Sequence, residues 1–349
     1  MRLTELTKGG GCGCKISPGH LKELLNDSSN CDEAFKWLLV GREGNEDSAA
    51  FRTPSGQIML TSLDFFPPIV DDPMLWGRIA SCNAISDIYA MGGQPLLATA
   101  ILGFPVEKVD NDTVRKILNG ARFACEEAEI PIAGGHSINL SEPIFGLSVI
   151  GLVEERKLLR NNASQPGDLI LLTKPIGIGL VVSAIKEQVT GFDYTSPHYS
   201  EAVGIATQLN KFGAVAAEID GVSSMTDVTG FGLIGHLHEM VQGARTTARI
   251  GISETPFLSG AILLAESGRQ TGGAKRNHSH YGGDVSASSS IPDWKLRLLY
   301  DPQTNGGLLM TIRRDALPTI MASAEQEAQS VFIIGEMRER GSHPILISP

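Results

Sequence analysis

The chain has 349 residues and a formal net charge of −10, with 42% hydrophobic and 19% charged residues. A chain of this length and apolar content is expected to form two globular domains with sizeable cores. The acidic balance argues against a nucleic-acid partner, which would need a clustered positive surface. The most apolar window, residues 168–185, is interrupted by Lys174 and Pro175, so no membrane span is predicted.

The cysteines indicate a reducing compartment. There are five of them, an odd number, and most are scattered, which does not fit a disulfide framework. Cys82 and Cys125 lie in helical patterns among apolar neighbours and are expected to pack in a core. The N-terminus shows no apolar signal segment. We therefore expect a cytoplasmic protein.

Residues 9–15 combine three consecutive glycines with two thiols and a lysine. Glycine leaves a backbone free to adopt many conformations, so residues 1–16 are predicted to form a mobile loop. Lys15 lies close in sequence to Cys12 and Cys14, and a nearby ammonium lowers the pKa of a thiol and favours the reactive thiolate. Two other interpretations stay open on these residues alone. One is a loose N-terminal tail, and the other is half of a soft-metal site, although the remaining cysteines show no matching spacing.

The next segment is expected to bring acidic residues to the edge of a sheet. A Ser-Pro pair at residues 17–18 predicts a helix that ends near residue 25. A polar, glycine-bearing loop over residues 41–48 then delivers Glu46 and Asp47 to the start of a strand. Paired acids in a loop also fit a simple solvated surface, and this alternative stays open.

A buried strand is predicted over residues 58–66, and Asp64 is its exceptional residue. A carboxylate in that position must be paired, hydrogen-bonded or metal-bound, because burying it alone costs several kcal/mol. A helix over residues 73–91 follows and ends at two glycines. Asn83 and Asp87 are four residues apart and share one face of it. Apolar residues on the opposite face predict that both sides of this helix are buried.

The rest of the first half is expected to add strands and one more helix. They are strands 96–104, 130–133 and 144–153 and a helix over 114–128. The short strand at 130–133 opens into a turn with Gly135, His136 and Ser137, whose small residues and amides suit a phosphate contact. A Gly-Gly pair also marks any tight turn. A charged, glycine-bearing stretch over 154–167 separates the predicted domains, 17–156 and 157–349.

The second half again mixes strands and helices, with polar turns at strand ends. Its predicted elements are a strand over 169–173, a glycine turn and a helix, helix signals over 197–212, a helix from about 232 to 241, a glycine-rich loop over 268–277, and strands at 308–312, from 331 and from 345. Asp227 stands just ahead of one of these helices. No short sequence repeat relates the two halves.

Asp47, Asp64, Asp87 and Asp227 are the residues that point to a metal. Several oxygen ligands without a His-Cys set of suitable spacing indicate a hard cation, Mg²⁺ rather than Zn²⁺. Mg²⁺ held by carboxylates usually has substrate phosphates in its shell. However, the sequence contains neither a P-loop motif around Lys15 nor a protein-kinase signature.

Segments along nearly the whole chain resemble the selenophosphate synthetase (selenide, water dikinase) family. The matching segments lie at residues 11–18, 64–66, 83–93, 134–138, 143–147, 226–232 and 301–304. The sequence departs from the family at residues 44–48, where paired aspartates usually precede two alanines. Here Glu46 precedes Asp47, and Ser48 replaces the first alanine. Asn305 also replaces a usual serine.

The resemblance implies a two-domain α+β, AIR-synthetase-like (PurM-like) fold. In that family, the N-terminal domains of two chains pair through a β-barrel in a homodimer. The implied reaction is ATP + selenide + water → selenophosphate + AMP + phosphate, with several Mg²⁺ ions and K⁺. The implied partners are ATP and either selenide or a selenium-delivery protein.

Residue roles follow from the same resemblance. Cys12 takes the catalytic cysteine or selenocysteine position, and Lys15 that of the essential lysine, which also meets ATP. Three aspartates match metal ligands: Asp47, Asp87 and Asp227. The expected ATP contacts are Gly44, Asn45, Glu46, Asp64, Asp87, Gly135, His136 and Ser137.

Two alternative functions remain from the residues. Another ATP-dependent enzyme of the AIR synthetase and thiamine-phosphate kinase superfamily would share the acids but has no need of Cys12 and Lys15. A non-catalytic selenium or metal carrier would use the cysteines but has no need of four aspartates.

Overall fold

The structure is a computed structural model that describes residues 2–16, 20, 23–24, 35–41 and 44–349. The helix expected from residues 17–18 to about residue 25 falls mostly outside these ranges. Two β-sheets organise the described chain, one in each half.

The first sheet is built by residues 38–153. Its strands are β1 (Leu38–Val40), β2 (Ala49–Arg52), β3 (Ile58–Phe66), β4 (Gln94–Phe104), β5 (Ile132–Asn139) and β6 (Ile144–Val153), and its helices are α1 (Pro73–Ala90) and α2 (Asn111–Glu127). The strand order is β1-β2-β3-β6-β4-β5. Neighbouring strands are antiparallel except for the parallel pair β4 and β5. Helix α1 packs on this sheet and α2 packs against α1.

Helix α1 is buried on nearly all sides, as the sequence predicted. The Asp72 side chain caps its N-terminus by accepting a hydrogen bond of 2.9 Å from the Leu75 amide. Gly92, with φ of +75°, follows its C-terminal end. A Cβ on Gly77 would lie 2.0 Å from the carbonyl oxygen of Ile117 in α2. The two helices therefore cross with their backbones in contact, which only glycine permits.

The second sheet is built by residues 169–348. Its strands are β7 (Leu169–Leu172), β8 (Val222–Asp227), β9 (Thr247–Gly251), β10 (Val285–Ala287), β11 (Leu308–Ile312), β12 (Phe332–Arg338) and β13 (Ile345–Ser348). The helices are α3 (Ile178–Lys186), α4 (Pro197–Ala206), α5 (Phe212–Ala216), α6 (Gly232–Ala244), α7 (Ser259–Glu266), α8 (Gly272–Tyr281), α9 (Asp293–Leu298) and α10 (Leu317–Gln326). The strand order is β10-β13-β9-β12-β7-β11-β8, and β7 and β11 are buried along their whole length. None of the described helices is long and apolar enough to cross a membrane.

The two halves meet along α1. A Cβ on Gly213 of α5 would lie 2.2 Å from the carbonyl oxygen of Tyr89 in α1. The thiol of Cys82 donates a hydrogen bond of 3.4 Å to the carbonyl oxygen of Thr207. Cys82 and Cys125 are both buried, which confirms their expected place in the core. Since α1 also packs on the first sheet, it can carry polar groups to the junction of both halves.

One face of the first sheet is left apolar and exposed. The side chains of Leu63 and Phe65 in β3 are 57% and 45% exposed, and that of Ile138 in β5 is 46% exposed. The predicted strand over residues 58–66 is confirmed, but the expectation that it is buried throughout is wrong. Successive side chains of a strand point to opposite faces, and only one face of β3 is covered.

Three further predictions differ from the structure in the type or the bounds of an element. The predicted turn at Gly135, His136 and Ser137 is part of β5, because these residues pair in parallel with β4. The predicted loop over 268–277 contains the start of α8, where the Thr271 side chain accepts a bond of 3.0 Å from the Ala274 amide. The helix signals over 197–212 correspond mainly to α4, and residue 212 begins α5.

Candidate active site

The glycine-rich segment packs at the junction of the two halves. A Cβ on Gly11 would lie 2.6 Å from Cγ2 of Ile69 and 2.7 Å from Oγ1 of Thr304, and its φ is +60°. Glycine is therefore required there by space and by conformation. Residues Cys12–Cys14 form a 3-10 turn. Cys12 is described by its backbone alone, so its catalytic role stays a prediction.

Three aspartates from distant parts of the chain converge on one point. Asp47 ends the loop before β2, Asp87 lies on α1 and Asp227 ends β8. One carboxylate oxygen from each lies within 4.8 Å of those of the other two. The structure thus brings together the three residues that the sequence assigned to a metal.

Hydroxyl groups orient these carboxylates. Thr226 Oγ1 donates to Asp47 Oδ1 at 2.8 Å, Ser62 Oγ donates to Asp87 Oδ2 and Ser86 Oγ donates to Asp227 Oδ2. The second oxygen of Asp47 is buried and accepts no hydrogen bond within the described protein. A buried carboxylate oxygen without a donor is strongly disfavoured. It is therefore available to a cation.

The pKa values of the three aspartates reflect their burial and the closeness of their carboxylates. Burial raises the pKa of Asp47 well above its ordinary value, and the neighbouring carboxylates of Asp227 and Asp87 raise it further. Burial likewise raises the pKa of Asp87, with Asp227 adding to the effect. Burial also raises the pKa of Asp227, although the hydroxyl of Ser86 opposes the shift. Without a cation, the folded protein thus holds protons that free aspartates would release.

Asp64 lies beside this cluster and is paired, as the sequence required. Lys15 Nζ lies 3.3 Å from Asp64 Oδ1 and 3.4 Å from Oδ2. Asn83 Nδ2 donates to Asp64 Oδ2 at 2.6 Å, and the backbone amide of Asn305 donates to Asn83 Oδ1 at 2.7 Å. The lysine of the glycine-rich segment therefore faces the acidic site. A residue of the second half fixes the amide that supports Asp64.

Residues 44–46 are joined to the second half. Asn161 Nδ2 donates to the carbonyl oxygens of Gly44 and Asn45, at 3.0 and 3.1 Å. Glu46 accepts bonds of 2.9 Å from Arg160 Nε and from the Asn161 amide. Burial raises the pKa of Glu46 although both partners favour its charged form. These contacts place Asp47 in a fixed loop, and the alternative of a freely solvated acid pair is excluded.

Gly135, His136 and Ser137 do not join the cluster within the chain. Asp64 is in register with Leu147, Leu147 with Ala100, and Ala100 with Gly135. Three strand spacings separate Asp64 from β5, which is roughly 14 Å. The strand lies at the sheet edge and its polar side chains are exposed.

The sequence did not single out the groups that hold the aspartates and Glu46. These are Ser62, Ser86, Thr226, Arg160 and Asn161. Three of them lie close in sequence to a candidate aspartate and could have been identified. Ser62 lies two residues before Asp64 on the same strand face, and Ser86 and Thr226 directly precede Asp87 and Asp227. Arg160 and Asn161 could not have been identified, because their partners lie more than 110 positions away.

The donor set fits a hard divalent cation. One buried and two half-buried carboxylates with hydroxyl partners offer only oxygen ligands, which suits Mg²⁺, and a bound cation would relieve their mutual repulsion. The aspartates do not close a full octahedral shell by themselves, so phosphate oxygens or water would supply the remaining ligands.

Comparison with known proteins agrees with this geometry. Residues 45–153 match the AIR synthase related protein, N-terminal domain, and residues 165–347 match the corresponding C-terminal domain. A selenide, water dikinase of Pseudomonas straminea is 44% identical over 347 residues, covering 99% of this chain and 96% of that protein. One of Rhizobium meliloti is 47% identical over 309 residues, covering 88% and 87%.

A solved structure confirms the fold alone. A thiamine-monophosphate kinase from Stenotrophomonas maltophilia superposes with a TM-score of 0.65 at 16% identity, covering 90% of this chain and 92% of that one. Together with the two matched domains, this confirms the predicted two-domain AIR-synthetase-like fold.

Proposed function

Because this chain belongs to the selenide, water dikinase family, we propose that its clustered aspartates and its glycine-rich segment form the site that makes selenophosphate. The reaction is ATP + selenide + water → selenophosphate + AMP + phosphate. The observation that carries the proposal is the convergence of Asp47, Asp87 and Asp227 within 4.8 Å, with Lys15 facing the neighbouring Asp64. A carrier would not need the acids, and the relatives at 42–47% identity do not favour another enzyme of the superfamily.

In this proposal, the three aspartates hold Mg²⁺ against the phosphates of ATP. When bound, the metal neutralises phosphate charge and orients the group that is transferred. Residues of the protein keep the metal ligands in position. The hydroxyls of Thr226 and Ser86 fix the carboxylates, so that little reorganisation is needed when charge develops.

Lys15 and Cys12 are proposed as the catalytic residues of the segment. The ammonium of Lys15 is held by Asp64 and can stabilise charge on the transferring phosphoryl group. Cys12 is proposed as the catalytic thiol that meets selenide beside the phosphoryl group, and its deprotonated form is the reactive one. Closing of the segment over ATP would exclude water from the first transfer.

The remaining contacts to ATP are proposed for Gly44, Asn45, Glu46, Asp64, Asp87 and residues 135–137. The exposed apolar face of the first sheet and its open edge strand support a homodimer, because such surfaces usually pair. Pairing through β-strands into a barrel would cover Leu63 and Phe65. It would also allow Gly135, His136 and Ser137 to serve the site of the partner chain, since they lie far from their own.

Three finer points complete the proposal. K⁺ as a second cation rests on the family resemblance. A cytoplasmic location is supported by the free thiols of Cys14, Cys82 and Cys125. The proposed selenium source is selenide itself or a protein that delivers it.

Release of AMP with the Asp227→Asn variant tests the metal assignment. The variant keeps the shape of the side chain but loses a ligand charge, so we expect AMP release to fall by roughly a hundredfold or more. Asp220→Asn is the matched control, because Asp220 is exposed and pairs with Arg313 at the surface. Full activity in Asp227→Asn would remove this residue from the site.

A further inference from the structure

A cavity of about 450 Å³ lies between the glycine-rich segment and the C-terminal half. Its walls include Gly10 and Cys14 on one side and Lys186 and Arg276 on the other. None of the three clustered aspartates lines it. The proposed reaction at the acidic cluster leaves this space without a role.

The lining of the cavity is positively charged. Lys8, Lys186 and Arg276 all border it, and the one acidic residue of the lining, Glu187, is paired with Arg269 at 3.1 Å. Over the described ranges, none of the three lining cations has a carboxylate within ion-pair distance. An anion that enters would therefore meet cations that form no ion pair with the described part of the protein.

The acceptors of two of these cations are neutral backbone groups. Lys186 Nζ donates to the carbonyl oxygens of Thr7 and Gly9, at 3.0 and 3.1 Å. Arg276 Nη2 donates to the carbonyl oxygen of Gly13 at 2.7 Å. Burial lowers the pKa of Lys186, and the carboxylates of Asp71 and Glu142 oppose the shift without forming an ion pair with it. Both side chains hold the segment in place through neutral acceptors, without a carboxylate at ion-pair distance in the described chain.

The cavity shares a wall with the acidic site. Thr304 lines the cavity, and the next residue, Asn305, donates through its amide to Asn83, which in turn donates to Asp64. Lys15, which faces Asp64, follows Cys14 of the cavity wall directly. A small anion in the cavity would thus lie across the glycine-rich segment from Lys15 and Asp64.

We propose that this cavity binds the hydrogen selenide anion before it meets the phosphate of ATP, an inference that rests on the proposed function. Selenide is the small anionic substrate of that reaction, and Lys186 and Arg276 supply the charge that would attract it. The cavity is larger than one such ion, so the anion enters together with water. Inorganic phosphate has the same sign of charge and is the competing occupant.

The test is the steady-state kinetics of Lys186→Gln and Arg276→Gln at saturating ATP and Mg²⁺. Each substitution removes one charged donor, so we expect the KM for selenide to rise about tenfold or more. The KM for ATP should stay within about twofold, because neither residue belongs to the acidic cluster. Arg297→Gln is the matched control, since Arg297 pairs with Asp293 outside the cavity.

The outcomes are separable. A wild-type protein that makes no selenophosphate would refute the proposed function, whereas an active wild type with unchanged selenide KM in both variants would overturn the cavity assignment alone. An equal rise in both KM values would also overturn it, because the cations would then only position the segment. Arg276→Lys keeps the charge without the planar fork, and it should give an intermediate selenide KM even if Arg276→Gln fails to fold.

Added inorganic phosphate distinguishes the two anions in the wild type. Failure of phosphate to compete with selenide supports the assignment. Competitive inhibition by phosphate against selenide that disappears in Lys186→Gln would also support it, because both anions would then share the cavity. Inhibition that is noncompetitive with selenide and disappears in Lys186→Gln would assign the cavity to phosphate alone and contradict the proposal.

Discussion

Replacement of Asp47 by asparagine should stabilise the metal-free protein and weaken its response to Mg²⁺. Its carboxylate oxygen lies within 4.8 Å of those of Asp87 and Asp227. At that separation, two unit charges repel by about 3.5 kcal/mol at an effective dielectric constant of 20. Partial protonation of the cluster lowers the gain, so we expect the free energy of unfolding to rise by about 1–3 kcal/mol near pH 8.

The pH dependence gives a second signature of the same substitution. The folded pKa of Asp47 is raised above the unfolded value, so the folded state binds more protons between these two pKa values. The stability of the metal-free wild type therefore falls as the pH rises through this window. The fall should be smaller in Asp47→Asn, because one of the titrating groups is gone.

The assay is thermal unfolding with a chelator and then with excess Mg²⁺. The wild type should gain stability on adding Mg²⁺, and Asp47→Asn should gain much less. Asp220→Asn, a substitution of an exposed acid, should respond like the wild type. If Asp47→Asn is less stable than the wild type without metal and keeps the full Mg²⁺ response, the cluster is a structural network and the reasoning is wrong.

Two other predictions concern the glycine-rich segment and a buried lysine. Amide exchange over residues 9–15 should be fast without ligand and slow with a nonhydrolysable ATP analogue and Mg²⁺; equal protection in both states would show a fixed segment. Burial lowers the pKa of Lys174 to about 7, so its protonated form is lost on folding, and stability should rise with pH between about 7 and 10.5. Between about pH 7.5 and about pH 9.5, Lys174→Met should remove roughly 2–3 kcal/mol of the rise in unfolding free energy that the wild type shows. The measurement is the unfolding free energy of both proteins across this pH range. An unchanged pH dependence in Lys174→Met would contradict the effect assigned to burial of the lysine.

Much of the fold could be predicted from local sequence signals. The strand over residues 144–153 is a nearly continuous apolar run, the helix from residue 73 begins at a proline and ends at two glycines, and both occur in the structure within a residue. The exposure of Leu63 and Phe65 could not be predicted from apolar character alone. Burial depends on what covers a sheet face, and that is settled by the arrangement of α1 and by any partner chain.

The candidate site, like the fold, could be predicted from the sequence only in part. Asp47, Asp87 and Asp227 could be selected because acids at strand ends and on a buried helix are unusual, and they do converge. The bonds of Glu46 to Arg160 and of Asn305 to Asn83 depend on how the two halves pack together. Such contacts carry no local signal, so the sequence gives no sign that these groups hold the site in place.

Phosphorus NMR of the reaction products tests the central assignment most directly. With ATP, Mg²⁺ and selenide, the wild type should form selenophosphate and phosphate together with AMP. Cys12→Ser should stop selenide-dependent product formation, because a serine hydroxyl does not ionise near neutral pH as a thiol does. Cys14→Ser, the matched control on the same segment, should keep a substantial part of the activity. Selenophosphate formed at the normal rate by Cys12→Ser would show that this cysteine is not the catalytic group.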